Sequence, residues 1–206
     1  MSFFITLEGP EGGGKSTQAR RLADHLQTQG HDVIFTREPG GTEIGDQIRR
    51  VIMSLENKSM SPEAEFLLFS ASRAQVVREL IQPHLERGGI VVCDRFYDSS
   101  LAYQGYGHEL DQALLRTITN FVTDGLVPDL TFLLDLTSEL GLERRKHDGR
   151  WNRLDDYDIA FHERVREGYL NLAAAEPDRW VWVDAAQTQD DIQKQIRETI
   201  EVRLRT

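Results

Sequence analysis

The segment that most constrains the fold lies near the amino terminus, where eight residues match the pattern G-x-x-x-x-G-K-[ST]. They run from Gly9 to Ser16 and follow the short apolar segment from Phe3 to Leu7. Apolar side chains recur at helical spacing after them, so the motif joins a strand to a helix. Glycines there let backbone N–H groups turn inward around an anion, and the helix amino terminus adds its positive end. The segment therefore predicts a loop that binds phosphate groups.

The loop motif predicts binding of ATP or GTP, and the sequence contains no N-K-x-D segment of the kind that reads guanine. Lys15 is expected to reach the β- and γ-phosphates, and the Ser16 hydroxyl is expected to bind Mg²⁺. The predicted ATP-binding residues are the loop and the residue after it: Gly9, Pro10, Glu11, Gly12, Gly13, Gly14, Lys15, Ser16 and Thr17.

Five short apolar segments, rich in β-branched and aromatic residues, alternate with longer helical patterns. They are too continuous for half-exposed strands and suit a buried parallel sheet. The predicted strands are Phe3–Leu7, Val33–Thr36, Ile90–Cys93, Leu130–Leu136 and Trp180–Val183. This alternation predicts an α/β fold of the P-loop NTPase type, in three α/β/α layers around a five-stranded parallel sheet. No repeat or linker divides the chain, so residues 1–206 are expected to form a single domain.

Helical patterns fill the segments between these strands. The first has its apolar stripe and its stop signal at Ala19, Leu22, Ala23, Leu26 and Gly30. A long helix is predicted to open at the cap Ser61, with Pro62 in its first turn, and to run to about Leu85. The last helix carries its apolar stripe at Ile192, Ile196, Ile200 and Leu204.

The formal net charge of −10 argues against a surface that grips nucleic acid or anionic lipid as a whole. A single cysteine, Cys93, cannot form an internal disulfide, and the first residues lack the basic segment of a secretion signal. No apolar run approaches the roughly 18 residues of a membrane span. We therefore expect a cytoplasmic protein without a nucleic acid or membrane partner.

Charged residues follow two of the predicted strands. Asp94 and Arg95 come after the third strand, and Arg37 comes after the second. Since the carboxyl ends of parallel strands converge on one crevice, both arginines and the phosphate loop are expected to face a common space. Asp94 would be the carboxylate on the Mg²⁺ side, together with Ser16. The two arginines provide a second anion site, which fits a phosphorylated acceptor.

Two further segments carry side chains that a hydrophobic core alone does not explain. Phe66, Phe69 and Arg73 recur at helical spacing and share one face. That face is either core whose arginine meets a polar group, or an aromatic platform for a base with a guanidinium at its edge. The segment from Arg144 to Arg153 holds five basic residues and one acid. It is either a solvated surface or a flexible lid over transferring phosphates.

Six motifs together resemble those of bacterial thymidylate kinases, and the likeness spans nearly the whole chain. They are the phosphate loop with its internal acid, T-R-E-P-G-G from Thr36, F-x-x-S-R from Phe69, D-R-x-x-x-S-S-x-A-Y-Q-G from Asp94, the basic lid of about residues 143–155, and F-H-x-x-V-R-x-G-Y-L from Phe161. The resemblance implies transfer of the γ-phosphoryl group of ATP to dTMP, giving dTDP and ADP. It also implies Mg²⁺ as the cofactor and a homodimer.

The resemblance further implies roles for the side chains of the acceptor site. Phe69 would stack on thymine, and Arg73 would donate to its O4, which suits a carbonyl and not the amino group of cytosine. Ser99 and Gln104 would contact the base edge, and Tyr103 would lie against the C2′ side of the sugar. Glu11 would hold the 3′-hydroxyl region, and Arg37 and Arg95 would hold the acceptor phosphate.

In this family a catalytic arginine comes either from the phosphate loop or from the lid. The loop here has no basic residue before Lys15, so the lid is expected to supply it. Arg153 is the first candidate and Arg150 the second, which gives a catalytic set of Lys15, Asp94, Arg95, Arg153 and Arg150.

Two alternatives stay open at this point, namely another P-loop nucleotide or deoxynucleoside kinase and a nucleotide-binding protein without enzymatic activity. Two arginines aimed at an acceptor phosphate disfavour a nucleoside kinase. The presence of Lys15, Ser16 and Asp94 disfavours a protein that only binds.

Overall fold

The computed structural model describes residues 2–147, 149 and 151–204. Its centre is a five-stranded sheet whose strands are β1 (Phe3–Glu8), β2 (Val33–Arg37), β3 (Ile90–Asp94), β4 (Leu130–Asp135) and β5 (Trp180–Asp184). The strand order is β2-β3-β1-β4-β5, and every neighbouring pair is parallel. The five predicted strands are confirmed to within one residue at their ends.

In the described part of the chain, nine α-helical segments connect or follow these strands. They are α1 (Lys15–Thr28), α2 (Glu43–Met53), α3 (Pro62–Val76), α4 (Gln82–Glu86), α5 (Tyr97–Ser100), α6 (Gln112–Thr123), α7 (Ser138–His147), α8 (Ile159–Ala175) and α9 (Gln189–Arg203). Short 3₁₀ turns lie at Leu55–Asn57 and Leu154–Asp156, and π-helical turns at Val77–Ile81 and Leu101–Gly107. Each of these helices is too short or too polar to span a lipid bilayer.

Helices cover both faces of the sheet, as predicted for the three-layer fold. Along β1, Phe4 belongs to one buried apolar cluster and Ile5 to the other, because successive side chains of a strand point to opposite faces. The cluster of Ile5 includes Leu22 of α1 and residues of α9, and that of Phe4 includes Tyr169 of α8 and residues of α3. Burial on both sides explains why the strands read as continuous apolar runs.

The long helix predicted from Ser61 contains a π-helical turn that its sequence pattern did not predict. Ser61 caps α3, as expected, by accepting a hydrogen bond from the amide of Ala64 at 3.3 Å. The π-helical turn then joins α3 to α4, and the run ends at Glu86. Pro83 in α4 has no amide proton to donate one turn back, and its ring crowds the carbonyl there. Widening the preceding turn relieves that conflict.

The phosphate loop packs backbone against backbone at the carboxyl end of the sheet. Gly9 has φ +134° and lies so close to the carbonyl of Leu134 on β4 that a Cβ atom would collide with it. Gly12 has φ +72° and approaches the backbone of Gly141 on α7 in the same way. Only glycine allows both the positive φ and the close approach. These contacts hold the loop between β4 and α7.

Candidate active site

A cleft of about 1130 Å³ at the carboxyl edge of the sheet is lined by many of the predicted site residues. The predicted residues that line it are Glu11, Gly12, Gly13, Gly14, Lys15, Ser16, Thr17, Arg37, Phe69, Asp94, Arg95, Ser99, Tyr103 and Gln104. They come from β2, β3, three helices and the connecting loops, so the convergence of strand ends described above is what assembles the site.

Lys15 begins α1 and is buried at the centre of the phosphate loop. Its Nζ donates to the carbonyl of Pro10 at 2.6 Å. Burial and the nearby charge of Arg95 lower the pKa of Lys15 to about 8 against the attraction of Glu11. Burying the charged ammonium group therefore costs free energy, and phosphate oxygens that enter the loop would stabilise its charged form.

Ser16 and Asp94 lie together at the mouth of the loop. The Ser16 hydroxyl donates to Oδ2 of Asp94, across the junction between α1 and the end of β3. A hydroxyl and a carboxylate are the hard oxygen ligands that Mg²⁺ takes when phosphate oxygens complete its coordination. The residues therefore fit that ion. Clusters of three or more His, Cys, Asp or Glu that could hold a metal alone are absent from the described residues.

Arg95 connects the phosphate loop with the acceptor side of the cleft. It follows β3 in a left-handed conformation with φ +69°. Its Nη1 donates to the carbonyl of Gly9 at 3.0 Å and to the Tyr169 hydroxyl at 2.9 Å, and its Nη2 donates to Glu11 Oε1 at 2.8 Å. Tyr103 donates to the same Glu11 oxygen at 2.8 Å. One guanidinium thus orients the acid of the phosphate loop.

Glu11 is a mostly buried carboxylate, with its side chain 15% exposed, among three cations. Burial alone would raise its pKa, but Arg95, Lys15 and Arg145 outweigh burial and lower the pKa of Glu11 to about 2. Glu11 is therefore an anionic acceptor at every physiological pH, and it offers its oxygens to any hydroxyl group in this part of the cleft.

Ser99, expected on the base edge from the family resemblance, donates to Glu8 Oε2 at 2.6 Å in the structure. Its hydroxyl also lies 2.8 Å from that of Tyr169, and Glu8 accepts from the Phe96 amide at 2.6 Å. Ser99 lines the cleft, but its hydroxyl serves this buried carboxylate. The next residue, Ser100, is the one that contacts Arg73 (3.0 Å).

The environment of Glu8 predicts a pH-dependent stability. Burial and the neighbouring Asp98 raise the pKa of Glu8 from 4.5 to about 7, against the charge of Arg95. Between these values the folded protein keeps a proton that the unfolded chain has released. The contribution of Glu8 to the unfolding free energy is fully present below its pKa in the unfolded chain and is lost as the pH rises through its pKa in the folded protein. It amounts to about 1.4 kcal/mol for each unit by which the two pKa values differ.

We therefore expect chemical denaturation to give a lower unfolding free energy at about pH 8 than at about pH 5. Glu8→Gln mimics the protonated group and removes this titration, so the decline should become smaller in that variant. An equal decline in Glu8→Gln would assign the pH dependence to other groups.

Arg37 and Arg49 both line the cleft near the carboxyl end of β2, and only Arg37 was predicted. Arg37 is half-exposed and lies 3.4 Å from Asp46 Oδ1. Arg49 of α2, which sequence reasoning missed, donates to the carbonyl of Pro39 at 2.8 Å. The side chains of Arg37 and Arg49 both lie against Gly40. Burial and the nearby charge of Arg37 lower the pKa of Arg49. The signal was its helical spacing from Gly45 and Ile52, which marks the buried face of α2.

Arg73 lies fully buried behind the cleft wall, on the same face of α3 as Phe69. Its Nε donates to Glu38 Oε2 at 2.7 Å and its Nη2 to Ser100 Oγ at 3.0 Å, while Nη1 has no partner among the residues that the structure describes. The polar group that Arg73 was expected to meet is therefore Glu38, which the sequence analysis did not single out. Phe66 packs in the core, whereas Phe69 lines the cleft.

Gln104 meets a second acid that the sequence analysis missed. Its Nε2 donates to Glu65 Oε1 at 2.7 Å, and both side chains are buried. Glu65 lies one helical turn before Phe69 on α3, and that spacing is the signal that marks it as a neighbour of the base platform.

Arg153, the first candidate for the lid arginine, does not reach the phosphate loop in the structure. Its buried side chain donates to Glu65 Oε2 at 2.5 Å, to the carbonyl of Ile52 at 2.8 Å and to the Tyr157 hydroxyl at 2.7 Å. A buried carboxylate without a cation is costly, so Glu65 holds the guanidinium there. The second candidate, Arg150, lies outside the described residues.

Two other basic residues of this segment line the cleft, Arg144 and Arg145 of α7. Arg144 donates to the carbonyl of Ala185 at 2.8 Å. Arg145 donates from Nε to Asp155 Oδ1 at 3.0 Å and lies 3.9 Å from Glu11 Oε2. Both belong to the basic segment predicted as a possible lid, and neither was predicted to be catalytic.

Comparisons with known proteins agree on one family. The family model described as thymidylate kinase matches residues 7–196. A thymidylate kinase of Roseiflexus castenholzii is 52% identical over 98% of this chain and 93% of its own length. One of Deinococcus radiodurans is 53% identical over 95% of each chain. The crystal structure of thymidylate kinase from Ehrlichia chaffeensis superposes with a TM-score of 0.79 at 31% identity and covers 97% of this chain and 98% of that one.

Proposed function

Because the chain belongs to the thymidylate kinase family, we propose that its cleft transfers the γ-phosphoryl group of ATP to dTMP and releases dTDP and ADP. The observation that carries the proposal is the presence of two sites in one cleft. The phosphate loop with Lys15 forms one site. Phe69 forms the other, together with a buried nitrogen of Arg73 that has no partner within the described part of the chain. The triphosphate and the phosphate group of an acceptor nucleotide would thus meet around Arg95.

The acceptor nucleotide would be held by side chains that converge on its phosphate, sugar and base. Arg37, Arg49 and Arg95 supply cations for the acceptor phosphate. The sugar would lie by Glu11 and Tyr103, whose hydrogen-bonded pair lines the cleft.

The base would stack on Phe69 and receive a hydrogen bond from Arg73. Ser99 and Gln104 are proposed to lie beside the base edge, because both line the cleft. ATP phosphates would lie in the loop from Gly9 to Thr17.

The chemistry that this arrangement supports is electrostatic. An oxygen of the acceptor phosphate attacks the γ-phosphorus, and the bond from that phosphorus to the oxygen of ADP breaks. The attacking oxygen is already anionic at neutral pH, so no side chain has to remove a proton. Lys15 and Arg95 bring two polyanions together and stabilise the charge that spreads over the transferring group.

We further propose Mg²⁺ as the metal cofactor, held by Ser16 and Asp94. When bound, the ion neutralises charge on the phosphate oxygens of ATP. The support is the oxygen donor pair described above. Asp94 organises this side of the cleft through its contact with Ser16 and does not need to act as a base.

Residues 1–206 are proposed to act as one domain with a lid of about residues 143–155. Within it, Arg145 is the favoured catalytic arginine, because it lies beside Glu11 at the phosphate loop. Arg153 is proposed to anchor the lid through Glu65, and Arg150 remains a further candidate for contact with the phosphates.

We expect Arg145→Met to lower kcat by about a hundredfold, since a donor to the transferring group is lost. Arg153→Met should act mainly on stability. It should lower the melting temperature, because it leaves the buried carboxylate of Glu65 without its cation. Steady-state kinetics and thermal unfolding of both variants separate the roles. A larger loss of kcat in Arg153→Met, at an unchanged melting temperature, would instead favour Arg153 as the catalytic arginine.

A homodimer is proposed through the apolar surface of α3 and α6. These helices pack against each other, and Leu67, Leu114 and Phe121 are 54%, 58% and 82% exposed. Phe121→Asp should convert the dimer to a monomer in sedimentation velocity, because it puts a charge on that surface. Val202→Asp, at a position 65% exposed on α9, is the matched control and should remain dimeric. A monomeric wild type would remove the proposal.

The substrate assignment is tested by measuring ADP release with Mg²⁺-ATP and a panel of acceptors, namely dTMP, dUMP, dCMP, dGMP and thymidine. We expect dTMP to be turned over with the highest kcat/KM. Preferred turnover of thymidine would point to a nucleoside kinase, and ATP binding without turnover would point to a protein that only binds. The single buried thiol of Cys93 accords with a cytoplasmic location, where we propose that the enzyme works.

A further inference from the structure

The amide of Gln104 has its orientation fixed by chemistry. Its Nε2 donates to Glu65 Oε1 at 2.7 Å, and an ionised carboxylate has no proton to give in return. The amide nitrogen must therefore face Glu65, and the carbonyl oxygen Oε1 of Gln104 must face away from it. That oxygen is buried and has no partner in the described residues. Gln104 belongs to the wall of the cleft, so that wall contains a buried acceptor whose hydrogen bond is still to be made.

Glu65 is kept ionised by the groups packed around it. Burial would raise its pKa, but the nearby His108 and the charge of Arg153 outweigh burial and lower the pKa of Glu65. Arg153 Nη2 lies 2.5 Å and the Tyr157 hydroxyl 3.0 Å from Oε2, while His108 Nε2 lies 3.3 Å from Oε1. Glu65 is therefore an acceptor, never a donor, at neutral pH.

Two facing helical stripes set the distance between donor and acceptor. Glu65, Phe69 and Arg73 follow one another at single-turn spacing on α3. Ser100 and Gln104, one turn apart, face them, with contacts of 3.0 Å from Arg73 to Ser100 and 2.7 Å from Gln104 to Glu65. Arg73 Nη1 and Gln104 Oε1 have no partner among the described residues, and they belong to side-chain contacts one helical turn after and one turn before Phe69.

We propose that Glu65 is a positioning residue that makes the cleft specific for a pyrimidine with a carbonyl beside a ring N–H. This inference rests on the proposed function. O4 and N3–H of thymine match the Arg73 donor and the Gln104 acceptor. Cytosine offers an amino group and an unprotonated N3 instead, so both contacts fail. Binding cytosine would leave buried polar groups of the protein without hydrogen bonds. That cost discriminates strongly between close analogues.

The test is Glu65→Gln, which preserves shape while supplying a side chain that can donate. Gln104 can then turn its amide and offer a donor to the base. We expect the ratio of kcat/KM for dTMP to that for dCMP to fall by about tenfold, through a raised KM for dTMP with kcat retained. Tyr157→Phe is the matched control, because it removes another hydrogen bond of Glu65 without touching Gln104, and it should keep the wild-type ratio.

Glu65→Gln leaves Arg153 buried without its anion, so the double variant Glu65→Gln/Arg153→Met provides the same test without an unpaired charge. Its ratio should fall as in the single variant, whereas Glu65→Asp, which can only accept, should restore the preference for dTMP. An unchanged ratio in the folded Glu65→Gln or double variant would overturn the inference, as would an equal fall in Tyr157→Phe. Failure of the wild type to use dTMP would refute the proposed function instead.

Discussion

Replacing Lys15 with methionine is expected to lower kcat by about a thousandfold, the largest effect of any single substitution in the phosphate loop. Methionine keeps the length of the side chain and removes the only positive charge that the loop itself carries. The lost charge acts on the transferring phosphoryl group, so the Kd for dTMP should change little. Single-turnover kinetics with Mg²⁺-ATP, together with calorimetric binding of dTMP, measures both quantities.

The same variant should not be less stable than the wild type. Burial depresses the pKa of Lys15 to about 8, so the folded protein disfavours the charged form at neutral pH. Below that pKa the charge costs stability, and the cost disappears as the pH rises through 8 toward the unfolded pKa. Lys194→Met, at an exposed lysine of α9, is the control and should change neither kcat nor the melting temperature. A Lys15→Met enzyme with more than a tenth of the wild-type kcat would contradict this role.

Replacing Arg95 with methionine is expected to lower kcat/KM for dTMP by two to three orders of magnitude, on the order of 3 to 4 kcal/mol. Arg95 supplies a cation at the junction of the two substrates and orients Glu11 through a contact of 2.8 Å. The substitution also leaves the mostly buried carboxylate of Glu11 with fewer neighbouring cations, which should lower stability. Initial rates at varied dTMP and thermal unfolding report the two effects.

The double variant Arg95→Met/Glu11→Gln separates catalysis from stability. Neutralising Glu11 removes the unpaired charge, so the melting temperature should recover while kcat/KM stays low. Arg164→Met is a matched control, since Arg164 donates two hydrogen bonds to the carbonyl of Gly107, at 2.8 and 3.1 Å, and is absent from the cleft wall. Recovery of activity together with stability in the double variant would show that Arg95 acts only by holding the fold.

The sheet was predictable because each strand is buried on both faces. A short continuous apolar run such as Ile90–Cys93 predicts a buried strand, and the observed strand is one residue longer, ending at Asp94. The π-helical turns were not predictable in this way. The turn at Val77–Ile81 relieves the steric clash and the missing hydrogen bond that Pro83 causes. The spacing of apolar residues contains no signal for such a turn.

The site was predictable where residues follow strands or loops, and less so where they pair across the fold. Asp94 and Arg95 are found at a strand end, as expected. Glu38 and Glu65 escaped notice because their partners, Arg73 and Arg153, are 35 and 88 residues away in sequence. For the same reason the sequence could not show that Arg153 is drawn away from the phosphate loop.

The identity of the phosphorylated product tests the central claim most directly. The enzyme is incubated with dTMP, Mg²⁺ and ATP labelled with ³²P at the γ-position, and the nucleotides are separated. We predict that the label appears in dTDP and that one ADP forms for each dTDP. Label found only in inorganic phosphate, or ADP released at the same rate without dTMP, would contradict the account.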